Sequence, residues 1–266
     1  LLIGSEGTLA IVSEVTLRLI PLPKSLPKTY MLFADGLDNA CNIVSMIGSL
    51  GIRPSAAEII DAEILALPTS RNMLPFPPPT ESTAVLLEYD DDHLSEAYVR
   101  RQLHQVGSKI GASVLDISAA DIRDAVWSWR RQISTMLKDV FAFKSSEDIV
   151  VPSSQMAAIV GFAKALGARH RLEILCYGHC GDGNIHVNIL ADEVPNKAKL
   201  DSFRLQLFRE VIGRGGHLSG EHGIGSQKRD YMRIEHTEDT LRQMIAIKRQ
   251  WDPLNVLNPR KVCPIT

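Results

Sequence analysis

The pair Asp182-Gly183 separates two runs that each read as a β-strand, residues 172–178 and 184–190, and it dictates how they meet. An Asp-Gly step between strand-like runs is a two-residue hairpin signal, because a type I′ turn needs positive φ at both central positions. With Asp182 and Gly183 at those positions, 181 faces 184, 180 faces 185 and 179 faces 186. His179 and His186 are then expected as a directly opposed pair, Cβ atoms about 4.5–5.5 Å apart. Asn188 falls opposite Tyr177 on the same face. Two imidazoles on one face supply half of a divalent-metal site; the competing reading is a histidine pair on a solvated hairpin or in the core.

Around this hairpin the chain alternates strands and helices. Strands are expected at 28–34, 55–60, 82–89 and 112–117, with helices at 37–50 and 93–106. Their order is βαββαβ, the split arrangement of ferredoxin-like folds. Between them, Pro75, Pro77, Pro78 and Pro79 deny the backbone its donors, so that stretch, with Pro68 before it, is read as an irregular excursion. After a long helix at 119–138 the order recurs: strand 148–151, helix 153–166, strands 172–178 and 184–190, helix 197–212, short strand 216–219. The expected class is α+β, two ferredoxin-like units, although no residue-level repeat supports duplication. Helices near 226–234 and 238–250 follow, then turns at Asp252-Pro253 and Asn258-Pro259.

Composition narrows the function classes. A chain of 266 residues with 45% apolar and 23% charged residues buries a sizeable core. With 29 basic and 31 acidic residues the net charge is −2, which offers neither nucleic acid nor an anionic membrane an electrostatic footprint. No apolar run approaches the ~18 residues of a membrane span. Four cysteines are too few for a disulfide scaffold, so a reducing, cytoplasmic setting is expected. Cys176 and Cys180 flank His179 without the spacing of a zinc CxxC pair. The chain begins with Leu1 inside an apolar segment, read as a cut within a longer protein whose targeting signal would be missing.

Five of the eight histidines lie between 170 and 222, which places the chemistry in the second half. Gly220-Glu221-His222-Gly223-Ile224-Gly225 is a glycine-punctuated loop, and its glycines let the backbone approach a ligand closely. Glu221 could add a carboxylate to His179 and His186 and leave an open position. In an extended loop His222 would point elsewhere and be free for proton transfer. The bland alternative is a helix-entry loop with a surface Glu-His pair. Arg130 and Ser134 share a face of the 119–138 helix, and Lys144 follows; together they suit a carboxylate.

Four segments in order, GSEGTLAIVSEVTL (4–17), GHCGDGNIHVN (178–188), GEHGIG (220–225) and IKRQWDPLNVLNPRKV (247–262), resemble the FAD-linked oxidase family. This branch of the vanillyl-alcohol-oxidase-type flavoproteins includes D-lactate dehydrogenase, the glycolate oxidase large subunit and D-2-hydroxyglutarate dehydrogenase. The resemblance implies that 1–24 end an FAD-binding domain otherwise absent. It makes 25–245 the substrate or cap domain and 246–266 a segment returning to the flavin domain. It implies a zinc-type ion on His179, His186 and Glu221, with His222 as general base. Substrate contacts would be Arg130, Ser134, Lys144 and Asn188. Ser5, Glu6, Thr8, Ile11 and Asn258 become candidate neighbours of the FAD.

Two positions depart from the pattern: Ala10 stands where the family has Gly, and Arg260 replaces the Gly of NPGK. If that Gly has positive φ, Arg260 is strained by roughly 1 kcal/mol. The implied function is oxidation of a D-2-hydroxy acid, lactate or glycolate, with hydride passing to FAD. An iron–sulfur protein or flavoprotein would accept the electrons, in the cytoplasm or peripherally at the inner membrane. Two alternatives stand beside it: a D-2-hydroxyglutarate-type enzyme, and a catalytically silent metal- or acid-binding fragment.

Overall fold

The computed structural model describes residues 1–79, 81–91 and 93–264; the last two residues of the expected 246–266 segment lie outside it. The first unit comprises β1 (Lys28–Asp35), α1 (Gly36–Ser49), β2 (Ala56–Ile60), β3 (Ser82–Tyr89), α4 (Glu96–Ile110) and β4 (Ser113–Asp116). Two short helices, α2 (Ala62–Ala66) and α3 (Pro68–Met73), occupy part of what was expected to be irregular chain. Pro68 opens α3, where a missing N–H costs nothing. The prolines from 75 to 79 remain outside helix and strand.

The long α5 (Ala120–Val140) leads into the second unit: β5 (Phe143–Val150), α6 (Met156–His170), β6 (Glu173–His179), β7 (Asn184–Ala191) and α7 (Lys197–Gly213). The strand expected at 216–219 shrinks to one bridge, His217 to Val150, beside β5. The helix expected at 226–234 is a 3-10 turn at Arg229–Tyr231 followed by α8 (Met232–Glu235). Helix α9 (Glu238–Trp251) completes the described elements, with the Thr237 hydroxyl accepting from Thr240 N–H at its start.

Both units join one seven-stranded antiparallel sheet in the order β4-β1-β3-β2-β6-β7-β5. The first four strands have the ferredoxin-like order. The next three repeat it in mirror sequence, and β2 against β6 is the seam, with Glu58 opposite His179. Alternation along each strand then sorts side chains to two faces. Tyr30, Leu32, Ile43, Val99, Ile159 and Phe203 belong to the core under α1, α4, α6 and α7. Met31, Phe33, Leu86, Trp129, Ile133 and Leu175 form the core under α5 and its short neighbours. This second face carries Glu58, Tyr177, His179, His186 and Asn188 beyond the edge of α5's apolar stripe.

The hairpin register differs from expectation. His179 pairs with Asn184, Tyr177 with His186, and Leu175 with Asn188. The loop is therefore Cys180–Gly183, not Asp182–Gly183 alone. Gly183 has φ +82°, but Asp182 is absent from the positive-φ residues that a type I′ turn requires. Gly183 is claimed by a tertiary contact: its carbonyl accepts Val151 N–H at 3.1 Å. A Cβ on Gly183 would lie 2.0 Å from the Val151 oxygen.

The N- and C-terminal segments dock on one another. Lys248 Nζ donates to the Thr8 carbonyl at 2.8 Å and the Leu257 carbonyl at 2.6 Å, and pairs with the Asp252 carboxylate. Asn258 Nδ2 donates to the Glu6 carbonyl at 2.5 Å. Arg260 does adopt the left-handed region, φ 63°.

Candidate active site

His179 ends β6 and His186 lies early in β7, so the pair is diagonal rather than opposed. Their ring centroids are 5.4 Å apart, edge to face. Glu221 Oε1 lies 3.4 Å from His179 Nε2 and 3.3 Å from His186 Nε2. Those separations are long for charge-assisted hydrogen bonds, which run about 2.7–2.9 Å. They match the edges of a tetrahedral coordination shell: ligands about 2.1 Å from one ion stand about 3.4 Å apart. The three ligand atoms all lie within 4.8 Å of one another. The residues therefore fit a zinc-type ion.

The loop bearing Glu221 is curled, not extended. Asp148 Oδ2 accepts the Ser219 hydroxyl and the N–H groups of Gly220, Glu221 and His222, each at 2.9 Å. Successive N–H groups converging on one oxygen fold the backbone around it. Glu221 and His222 consequently do not diverge. The His222 ring stacks on His186, centroids 5.2 Å apart at an interplanar angle of 10°, and its Nε2 is 3.5 Å from Glu221 Oε1. Beyond His222 the clamp continues: Glu6 accepts Ile224 N–H at 2.7 Å and Gly225 N–H at 2.8 Å. Gly223 has φ +81°, a conformation that favours glycine, and a Cβ there would come within 2.8 Å of the Glu6 carboxylate and displace it.

Electrostatics follow burial and hydrogen bonding. Burial alone would raise the Asp148 carboxyl, but the N–H groups of His222 and Glu221, the Ser219 hydroxyl and the Lys228 charge hold it at about 2. Burial lowers His186 to about 4, so it is a neutral imidazole near pH 7, the form that ligates metal. The hydrogen bond to Glu58 raises His179. Burial lowers Lys144, with Lys138 adding to the effect.

The cationic residues reach the same sheet face. The Arg130 guanidinium lies 4.7 Å from the Tyr177 ring centroid, and that ring is 5.1 Å from His186. Lys144 Nζ donates to Ser134 Oγ at 2.9 Å. Arg130 is less free than a carboxylate clamp was expected to be. Its Nε and Nη2 donate to Glu58 Oε2 at 3.0 and 2.5 Å, leaving its Nη1 end. Asn188 is fully buried and donates to the Leu175 and His186 carbonyls, with Oδ1 unpaired. Among the described residues seven buried side-chain polar atoms lack a partner, and four surround this site: Asp148 Oδ1, Asn184 Oδ1, His186 Nδ1 and Asn188 Oδ1. Such clustering marks a place built for a polar occupant.

Glu58 and Asp148 were not singled out from sequence. A charged residue inside the apolar strand AAEII (56–60) was the available signal for Glu58. The expected FAD neighbours divide. Ser5, Thr8 and Asn258 line one cleft with Met244 and Cys263, whereas Glu6 faces the 223–225 loop and Ile11 lies exposed. The five are therefore not gathered in one cleft.

Residues 25–262 match the family of FAD linked oxidases, C-terminal domain. The glycolate oxidase subunit GlcD of Bacillus subtilis (strain 168) is 30% identical over 98% of this chain and 56% of its own length. The D-lactate dehydrogenase of Anaerostipes hadrus is 29% identical over 99% of the chain and 57% of its own length. The chain thus spans little more than half the length of these relatives. The structure of p-cresol methylhydroxylase with substrate bound superposes with a TM-score of 0.67 at 14% identity, covering 91% of this chain and 53% of that one, a likeness of fold.

Proposed function

Because the chain belongs to the FAD-linked oxidases, in their C-terminal domain, we propose that it forms the substrate-binding part of a flavin- and metal-dependent dehydrogenase. Its substrate would be a D-2-hydroxy acid of the lactate or glycolate type, oxidised to the 2-oxo acid. On this reading residues 1–24 and 246–266 belong to the flavin domain's side and 25–245 to the cap. The observation that carries the proposal is the meeting of His179, His186 and Glu221 at 3.3–3.4 Å, beside His222 and a cationic wall.

When bound, the metal would lower the pKa of a coordinated hydroxyl and the flavin would accept the hydride. The chain's own residues do the rest. The Nε2 atoms of His179 and His186 and the Glu221 carboxylate would hold the ion. The Nη1 end of Arg130, with Lys144, takes the substrate carboxylate as charge-assisted donors. Ser134 orients Lys144 through its hydroxyl. Asn188, its amide nitrogen held by the Leu175 and His186 carbonyls, offers its unpaired Oδ1. A ring nitrogen of His222 takes the hydroxyl proton, as a general base must when hydride leaves the α-carbon.

The test is a substrate panel of glycolate, D-lactate and D-2-hydroxyglutarate on the complete protein with a dye acceptor, before and after chelation. Activity with the small acids that is lost with the metal and returns with Zn²⁺ supports the reading. Turnover of D-2-hydroxyglutarate alone moves the assignment to the dicarboxylate. Activity indifferent to chelation removes the metal. Arg130→Ala should raise KM roughly tenfold, the equivalent of about 1.4 kcal/mol for one lost charge-assisted contact.

A further inference from the structure

The carboxylate of Glu58 is 5% exposed, and both of its oxygens are occupied. Oε1 lies 2.7 Å from His179 Nδ1, and Oε2 receives Nε and Nη2 of Arg130. A buried carboxylate is tolerated only when paired in this way, so the arrangement is specific rather than incidental. Three parts of the fold converge here. Glu58 comes from the first ferredoxin-like unit, His179 from the second, and Arg130 from the helix between them. Glu58 and His179 are direct partners across the seam between β2 and β6.

A neutral imidazole carries its proton on one nitrogen, and the partner of that nitrogen decides which. With Nδ1–H donating to Glu58, the lone pair of His179 lies on Nε2, the atom facing Glu221. We infer that Glu58 is a positioning residue that locks His179 as an Nε2 metal ligand and, through its other oxygen, ties that ligand to Arg130. The inference rests on the metal reading proposed above. It makes the seam of the sheet part of the site: the strand pairing that fuses the two units also sets the ligand's tautomer. It also accounts for Nε and Nη2 of Arg130 being taken up, which leaves Nη1 as its uncommitted end.

A purely structural Glu58 would serve only to neutralise Arg130, and paired substitutions separate the two roles. Glu58→Gln with Arg130→Met, and Glu58→Leu with Arg130→Met, both remove the buried ion pair at similar volume. Only the first keeps an acceptor for His179 Nδ1–H. Each is titrated with Co²⁺ and with Zn²⁺ against a chromogenic chelator, alongside the wild-type 266-residue chain and with Tm recorded. The Leu variant should bind metal about 10–100-fold more weakly than the Gln variant, the usual cost of a lost outer-shell partner. Equal affinities in the two folded variants, with wild type binding, overturn the role of Glu58 alone. A wild-type chain that binds neither ion overturns the metal reading and this inference with it. If the Leu variant does not fold, ¹⁵N NMR of the metal-free wild-type chain at mildly alkaline pH decides. His179 protonated on Nδ1 supports the inference; protonation on Nε2 overturns it.

Discussion

Glu221 and His222 are neighbours with different expected tasks, and the curled loop brings both to the same place. Glu221 Oε1 faces both histidine Nε2 atoms, and the His222 ring, stacked on His186 with its Nε2 3.5 Å from the same oxygen, is 58% exposed. His222 belongs to a second possible metal-holding group with Asp148 and His186; on the proposed reading its more exposed ring instead reaches the substrate hydroxyl. Glu221→Ala should therefore lose bound metal and activity together. His222→Ala should keep its metal while kcat falls by the 10²–10⁴ typical of a missing general base. Elemental analysis and dye reduction on both variants of the complete protein check this; metal lost from His222→Ala and kept by Glu221→Ala would reverse the two roles. At this scale the motif residues were legible because glycine spacing and hairpin chemistry are local. Glu58 was not, since its contact with His179 spans 121 positions and depends on a seam between two sheets' worth of strands. Asp148 was missed for a related reason: it gathers the Ser219 hydroxyl 71 positions away and backbone N–H groups 72 to 74 positions away, which no side-chain pattern announces.

The hairpin and the loop it faces show how an element can be legible in outcome but not in detail. The expected pairing of 179 with 186 gave way to 179 with 184, a slip of two positions. Side chains alternate with period two, so a slip of two keeps both histidines on one face, whereas a slip of one would have separated them. The site survives the altered register for that reason alone. The Ser219–His222 turn depends instead on Asp148, whose carboxyl, at about 2, lies below its ordinary 3.8. A depressed folded value means the unfolded chain binds the proton more readily. Its stabilisation is thus complete above about pH 4 and is lost as pH falls towards 2. A difference of this size corresponds to roughly 2 kcal/mol. Asp148→Asn should lower stability at neutral pH by about that amount or more and should flatten the acid limb between pH 4 and 2. Urea unfolding at a series of pH values measures both, and an unchanged acid limb would show that the N–H cluster does not depend on the charge.

The whole molecule has one finished side and one unfinished side. Seven strands and their helices enclose two cores, and the order of elements along the chain was enough to anticipate both ferredoxin-like units. What the order of elements could not convey is that the units share a sheet, because edge-to-edge pairing of β2 with β6 involves no loop or turn with a sequence signature. The unfinished side is the N-terminal segment: Ile11, Leu17, Leu19, Ile20 and Leu22 are all more than 70% exposed and lie outside any helix or strand. So many large apolar side chains left in water along one short segment, though Ser13, Glu14, Thr16 and Arg18 lie between them, mark a surface suited to being covered. The relatives it matches extend well beyond the aligned part, and only three of the five candidate flavin neighbours, Ser5, Thr8 and Asn258, share a cleft. The 266-residue chain expressed alone should therefore emerge from gel filtration without flavin absorbance near 450 nm and should not reduce dye with D-lactate. The proposed metal site should still bind Zn²⁺, because His179, His186, Glu221 and their hydrogen-bonding partners all lie within this chain. The same chain joined to a flavin-binding half should be yellow and active. A yellow, dye-reducing preparation of the chain alone would mean that Ser5, Thr8 and Asn258 hold the cofactor without further enclosure.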